Sequence, residues 1–456
     1  MTQSLITDVL VVGGGGAGIS AALSAYQHGA RVTVLEKMDT LGGSTGMSGG
    51  GISATNTRFQ REQGIKDTKQ SWLTLWHARE TTSNPDGPYP DYDFVDYYMD
   101  EAVKTTEWLV DDAGHHYGEI TGFGLDPVKR IHFPGKGGEL GGPLLINNLS
   151  EALAKTTIKV MVNTVAKKLL TNDQGAVIGV LASTPDGDVE MTAKKVILSS
   201  GGFAKSKRLL QKFIPAAPNV YEHSYSGAGN QGDGILMAQA IGAVLYEDPW
   251  VIGEGITTNV PHTFPLMMDW SKVFVDGNGK RFMSEQTHYA VVTNAIIAAK
   301  TPWLILDSAT TNAEIIEALK AGIASGEVVT APDCQSLAEQ MQIPADTFTK
   351  TMATYNKGAH DGEDAMGKEP EFTVAVETAP YFAVKIYPVI MGTFGGVKTS
   401  KQFEVLDKQG QVIPNLFATG ETANKVIYNH VYMSGSSVQF ALTSGRIAGQ
   451  VAAETL

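Results

Sequence analysis

Cysteine is almost absent from this chain of 456 residues, Cys334 being the only one. That excludes an intrachain disulfide framework, a thiolate metal cluster, a C-x-x-C redox pair and a covalent c-type haem. Any redox chemistry then belongs to a bound cofactor. Positive charge is also scarce: 35 Lys and Arg stand against 48 Asp and Glu, for a net charge of −13. This argues against a polyanion or an anionic membrane surface as partner. No apolar run reaches the length that spans a bilayer, and no basic stretch followed by an apolar core marks a leader. No His, Asp and Glu fall at metal-ligand spacing, so no metal is expected. The expectation is a cytoplasmic protein with no transmembrane segment and no nucleic-acid partner.

Glycine, by contrast, is abundant, and it clusters. Val9 to Val12 is a short apolar run that breaks into Gly13, Gly14, Gly15, Gly16, Ala17 and Gly18; Glu36 follows a second run, Arg31 to Leu35. Strand, glycine turn, helix, strand and acid in this order form a dinucleotide-binding unit. Gly13 admits the tight turn, Gly15 lets backbone approach a pyrophosphate, and Gly18 lets the helix pack against the strand. The helix N-terminus then offers its N–H groups and positive dipole end to the phosphates. Glu36 suits the hydroxyls of an adenosine ribose, and its charge would repel a 2′-phosphate.

The length exceeds one typical domain, so a large domain with a second is expected. A glycine- and serine-rich loop, Leu41 to Gly51, follows the first unit and brings backbone close to a flat ligand. Helical spacing marks Val95 to Asp112 and Leu145 to Lys155; Lys159 to Val165 and Ala176 to Ala182 alternate like strands around an Asn172-Asp-Gln-Gly turn. Lys195 to Ser199 is a buried strand ending in Gly201-Gly202, and Gly232-Asp-Gly opens a helix over Ile235 to Ile241. Beyond about Asp248 the character changes to mixed helical and extended patterns, including the polar helix Asn312 to Ile323, until the glycines return at Gly392. Pro414 to Ala418 is a strand running into Gly420, and small residues recur at helical spacing from Gly435 to Ala453. The expected fold is α/β: a Rossmann-like domain over 1–247 and 391–456, with an inserted α+β capping domain over 248–390.

Several elements then occur together in one order. They are Gly13-x-Gly15-x-x-Gly18 with Glu36, the Gly42-Gly43-Ser44 loop, Ser199-Ser-Gly-Gly-Phe203, Gly232-Asp-Gly234, Gly279-Lys-Arg-Phe-Met-Ser-Glu285, Gly395-Gly396-Val397 and Ala418-Thr-Gly-Glu421. From Asp8 to Ala453 the chain resembles the flavoprotein subunit of fumarate reductases and the related 3-ketosteroid dehydrogenases and other FAD-dependent ene-reductases. The resemblance implies FAD lying extended in the first domain. Its ligands would be Gly13, Gly15, Gly16, Ala17 and Gly18, then Glu36 and Lys37, and Gly43, Ser44, Thr45, Gly50 and Gly51 of the glycine-rich loop. Val165, Ser200, Gly201, Gly202, Asp233, Gly420 and Glu421 would join them, with Ser436, Ser437 and Val438 of the last helix. In such a site hydride passes between flavin N5 and a substrate carbon while a proton is exchanged at the neighbouring carbon. The substrate therefore needs an electron-withdrawing group conjugated to its C–C bond.

The substrate-directed positions depart from fumarate reductases. Where those enzymes carry two arginines and a histidine, this chain has Tyr289, Tyr432 and Gly392. A phenol cannot reproduce the charged bidentate fork by which arginine grips a carboxylate. Tyrosines at these two places resemble 3-ketosteroid dehydrogenases. By that resemblance Tyr432 with the N–H of Gly435 or Ser436 would polarise a ketone oxygen, and Tyr289, helped by a neighbour such as His288, would be the acid/base. Amphipathic aromatics also fill interfaces, and Tyr428, Tyr387 and Tyr117 are expected in core or surface roles. Arg130 and His132, ahead of Pro134 to Gly138, resemble a loop near the flavin, although such a pair is more often a salt-bridged element. Arg281 is expected in a structural ion pair, and His262 and His288 in packing.

The leading expectation is an FAD-dependent CH–CH oxidoreductase acting on an enone or ketosteroid-like substrate, exchanging electrons with a diffusible or protein donor or acceptor. One competitor is a fumarate- or urocanate-type reductase that binds carboxylates through residues such as Arg130 or Lys385. The other is a flavin electron-transfer or sensor protein without an organic substrate.

Overall fold

The computed structural model describes residues 5–123, 125–136, 141–261 and 263–456; His262 and the end of the Pro134 to Gly138 motif lie outside them. The chain divides into two compact units. Unit 1 comprises Met1–Pro215, Ser224–Ile252 and Met391–Leu456, and unit 2 comprises Ala216–His223 and Gly253–Ile390. The expected insertion began at 248 and left 216–223 with the first segment; the observed division differs at both places.

Unit 1 is built on a mixed sheet with a parallel centre. Val412–Ala418, Gly187–Leu198, Leu5–Val12, Val32–Leu35 and Lys159–Met161 lie side by side in that order, each parallel to its neighbour. Val9, Leu10, Val11 and Val12 are all buried. An unbroken apolar run of this kind marks a strand covered on both faces. Against the sheet pack two helices, Gly16–Gln27 and Ser436–Glu454, and the small residues of the second are what let them meet. A Cβ at Gly445 would fall 2.2 Å from the Ala17 carbonyl oxygen, and one at Gly449 2.2 Å from that of Ala21. Ser20 and Ser24 donate across the contact to the carbonyls of Leu442 and Arg446, each at 2.7 Å.

One expected strand is divided. Lys159–Met161 belongs to the parallel sheet, while Val165–Thr171 turns away and forms an antiparallel hairpin with Val177–Thr184. The break is fixed by hydrogen bonds: Asn163, at φ 50°, donates from its amide to the Met38 carbonyl, and Thr164 to that of Glu36. Period-two alternation does not register such a change of partner.

Unit 2 is α+β. Val273–Val275, Trp303–Asp307, Tyr381–Lys385 and Val328–Ala331 form an antiparallel sheet in that order. Helices including Tyr289–Ala298, Ala313–Ser325 and Ala345–Asp361 accompany it. Among the described residues no helix is long and apolar enough to cross a membrane.

Candidate dinucleotide and substrate sites

The turn after the first strand is made by the glycines at its ends. Gly13 has φ +108°, and a Cβ there would fall 2.4 Å from the Ser199 carbonyl oxygen; one on Gly18 would fall 1.8 Å from that of Gly13. Only a bare α-carbon fits at either place. Gly15 differs: a Cβ there would meet the Gly42 oxygen at 3.7 Å and the Gly43 Cα at 4.0 Å, ordinary contact distances at the helix N-terminus. Gly16 and Ala17 begin that helix, Gly16 against the Thr45 side chain.

Glu36 lies at the far side of the turn, buried, with one carboxylate oxygen accepting from the Gly14 amide at 2.7 Å and the other from Met38 at 2.8 Å. Each oxygen keeps a lone pair for a further donor. Lys37 is paired with Asp233, and the exposed Val165 follows the Thr164 amide that anchors to Glu36. The glycine-rich loop joins the same unit: Ser44 Oγ accepts from the Gly227 amide at 3.0 Å, while Gly43 and Thr45 share its short helix. Gly50 and Gly51 abut Gly141 and the Ile131 and Phe133 side chains respectively.

Glu421 forms the third corner. Its Oε2 accepts from Asn230 Nδ2 at 3.0 Å and from the Thr393 amide at 3.2 Å, and desolvation pushes its carboxyl up to about 7. Gly202 and Gly392 press against it, and a Cβ at Gly392 would fall 2.8 Å from its carboxyl carbon and oxygens. A side chain at this position would have to displace the Glu421 carboxyl. Ser200 Oγ accepts from the Gly234 amide at 3.0 Å, the Gly201 carbonyl accepts from Thr422 Oγ1 at 3.1 Å, and Gly420 lies against Ala17.

Tyr432 and the last helix make a second constellation in unit 1. Gly435, at φ +73°, precedes the helix and donates its N–H to the Tyr432 hydroxyl oxygen at 3.1 Å. The Ser436 amide, the alternative donor, goes instead to the Met433 carbonyl at 3.0 Å. Ser437 and Val438 complete the first turn, both half-buried. Ser53 ties the turn down by donating its amide to the Gly435 carbonyl and its hydroxyl to that of Ser434. Tyr98 donates to the Ser436 carbonyl, and Tyr428 shares a 2.6 Å hydrogen bond with Ser436 Oγ. Burial holds both phenols far above their ordinary pKa, so they stay protonated.

In unit 2, Tyr289 is half-buried at the first position of its helix. The buried His288 caps that helix, and its ring centroid lies 4.1 Å from that of Tyr289.

The cationic candidates are engaged elsewhere. Arg130 is a fork on Asp67, Nη2 to Oδ1 at 2.8 Å and Nε to Oδ2 at 3.1 Å, with both side chains enclosed. His132 bonds Thr57 Oγ1 at 2.8 Å, and burial lowers it to about 4. Both are therefore structural rather than part of a loop that meets a ligand. Arg281 pairs with Glu285 and Asp364, and Lys385 Nζ sits 5.7 Å from the Trp303 ring centre. Tyr428 stacks on Phe394 in the core, Tyr117 donates to the Thr106 carbonyl, and Tyr387 to Glu327. Among the described residues no group of three or more His, Cys, Asp or Glu could hold a metal. Ser53, Glu80, Tyr98, Asn230 and Lys425 were not anticipated; of these only Asn230, just ahead of Gly232-Asp-Gly234, stands next to a sequence signal.

A parallel sheet with a glycine turn, an acid beyond its second strand and a separate α+β unit defines a two-unit dinucleotide-binding protein. The chain belongs to the FAD binding domain family, whose model matches residues 8–438. It is 29% identical to a probable fumarate reductase, Ifc3, of Shewanella frigidimarina over 98% of this chain and 75% of that protein. With a urocanate reductase of Eggerthella lenta the identity is 30% over 98% of this chain and 74% of the relative. A solved structure of 3-ketosteroid-Δ4-(5α)-dehydrogenase from Rhodococcus jostii RHA1, with 4-androstene-3,17-dione, superposes with a TM-score of 0.80. It is 26% identical, covering 98% of this chain and 97% of that one. FAD is the cofactor, and the helix N-terminus at Gly15 and Gly16, with the Glu36 carboxylate on the neighbouring Gly14 amide, fits its pyrophosphate and ribose. The protein is an FAD-dependent oxidoreductase of the CH–CH class.

Proposed function

We propose that the substrate is a neutral α,β-unsaturated carbonyl compound, an enone or a ketosteroid-like molecule, or its saturated partner. The observation that carries this reading is the Tyr432 hydroxyl and the Gly435 amide meeting at 3.1 Å, at the start of the last helix. The Gly435 N–H is given to the phenol oxygen, which orients and strengthens the phenol O–H as the donor for a carbonyl oxygen on which negative charge develops. Bound FAD supplies the hydride exchange at carbon. Tyr289, carried by unit 2, is the acid/base that moves the proton at the neighbouring carbon, with the His288 ring beside it.

For the cofactor we assign Glu36 to the adenosine ribose, the N-terminal turn of the first helix to the pyrophosphate, Ser44 and Thr45 to the flavin surroundings and Glu421 to the ribityl chain. The remaining FAD contacts expected from the sequence belong to the same proposal, with 248–390 as the substrate domain. Electrons come from or go to a diffusible or protein partner. The scarcity of cysteine suits a cytoplasmic setting.

Identity with the urocanate reductase favours a second reading, a carboxylate-directed ene-reductase. Against it, Arg130 and Arg281 are bound by carboxylates of the protein itself. The experiment is anaerobic: the reduced flavoprotein is mixed separately with cyclohexenone, androstenedione, fumarate and urocanate, and return of the oxidised spectrum is followed. Reoxidation by the two ketones alone is expected. Rapid reoxidation by fumarate or urocanate would replace this reading with the second.

A further inference from the structure

Glu80 ends the helix Lys69–Glu80, far in sequence from the last helix, and is buried at 1% exposure. Its Oε2 accepts from two backbone amides, Asn429 at 2.9 Å and Val431 at 3.4 Å, just ahead of Tyr432. Its Oε1 is buried with no hydrogen-bond partner. Lys425, fully buried, donates from Nζ to the Asn429 carbonyl at 2.8 Å. One residue is thus gripped at its N–H by a buried carboxyl group and at its C=O by a buried lysine amine. The Asn429 side chain adds bonds to the Glu80 carbonyl and to Asn84. A carboxyl in such a place is expensive to desolvate, and a neutral side chain would fill the volume more cheaply. Its presence points to a task of position rather than stability.

We propose that Glu80 is a positioning residue: it fixes the 429–431 backbone, and through it sets where the Tyr432 hydroxyl, itself held by the Gly435 amide, meets the substrate's carbonyl oxygen. The inference rests on the reading of Tyr432 given above. Ser53 and Tyr98 hold the C-terminal side of the same turn; Glu80 holds the N-terminal side, with Lys425 on the Asn429 carbonyl. Displacing a donor pair by a fraction of an ångström weakens it where charge develops while leaving ground-state binding nearly intact.

The test is a double-mutant cycle on the dithionite-reduced holoenzyme, with cyclohexenone as probe and the limiting rate of flavin reoxidation as readout. Glu80→Gln alone is expected to lower that rate by about tenfold or more, with the half-saturating cyclohexenone concentration within about threefold of wild type. Glu80→Asp, which keeps a carboxyl group on a shorter stem, serves where the glutamine variant yields no holoenzyme, with the same expectation. The double variant with Tyr432→Phe is expected to be no slower than Tyr432→Phe alone, because Glu80 acts through that hydroxyl. Multiplying losses would overturn the proposal, since a merely structural defect adds to the loss of Tyr432. A slow Tyr432→Phe beside a wild-type Glu80 variant would overturn it and leave the Tyr432 reading standing. A wild-type rate in Tyr432→Phe would remove both.

Discussion

The amide of Gly435 donates to the hydroxyl oxygen of Tyr432 across 3.1 Å, inside a turn where Gly435 alone adopts φ +73°. A Cβ on Gly435 would fall 2.4 Å from Ser53 Oγ. The glycine therefore serves the turn twice, by its conformation and by letting Ser53 close on it. The bond joins the Tyr432 side chain to the backbone of its own turn, three residues on.

From this pair follows the first prediction. Tyr432→Phe removes the phenol donor and leaves the ring, so the rate of flavin reoxidation by cyclohexenone is expected to fall by about 10² to 10³. FAD content and the oxidised spectrum should be unchanged. Tyr289→Phe is expected to lower turnover by about 10² or more, with the loss falling on proton exchange, which solvent isotope incorporation at the neighbouring carbon would report.

Gly392 touches the Glu421 carboxyl closely enough that any side chain must displace it. Gly392→Ala is expected to destabilise the holoprotein by roughly 1–3 kcal/mol and to weaken FAD retention. Gly392→His should not bring fumarate turnover and should yield protein depleted in flavin. Thermal melting and the flavin-to-protein absorbance ratio measure both effects.

Removing Arg130 strands the enclosed Asp67 without its counter-ion. Arg130→Ala is expected to cost about 3–5 kcal/mol of stability. The ratio of reoxidation rates with cyclohexenone and fumarate should stay the same in whatever holoprotein is recovered. A change in that ratio would return Arg130 to the substrate site.

Two imidazoles predict acid sensitivity. Burial lowers His115 and His132 from 6.5 to about 4. Between these values the unfolded chain binds the protons and the native protein does not, so unfolding free energy rises with pH across that window and is lost as pH falls through it. Each contributes up to about 3 kcal/mol by the size of the shift. Glu80 works oppositely: burial raises it from 4.5 to about 8, so its contribution falls as pH rises between those values. Melting temperature measured across pH should show a steep acid limb, shallower in His132→Gln.

Much of the cofactor end of the molecule was legible from local pattern. Val9 to Val12, the glycine spacing and Glu36 are contiguous signals, because strand, turn and helix each obey short-range rules of burial and backbone conformation. The hairpin was misplaced because the alternating run changes partner within one sheet, Lys159–Met161 pairing with Val32–Leu35 and Val165–Thr171 with Val177–Thr184, and only hydrogen bonds from Asn163 and Thr164 show where it divides. Arg130 carries two readings in sequence, a loop near the flavin or, more often, a salt-bridged element, and its pairing with Asp67, far away in sequence, decides for the second.

The sequence by itself determined the cofactor class and the α/β architecture, since each is a matter of residue type at a fixed local spacing. The tertiary structure alone decided which amide meets the Tyr432 hydroxyl, why Gly392 admits no side chain, and that Glu80 and Lys425 grip Asn429 from opposite ends. These are contacts between segments up to several hundred residues apart. Such contacts are selected by the packing of the whole unit, and no local propensity encodes them.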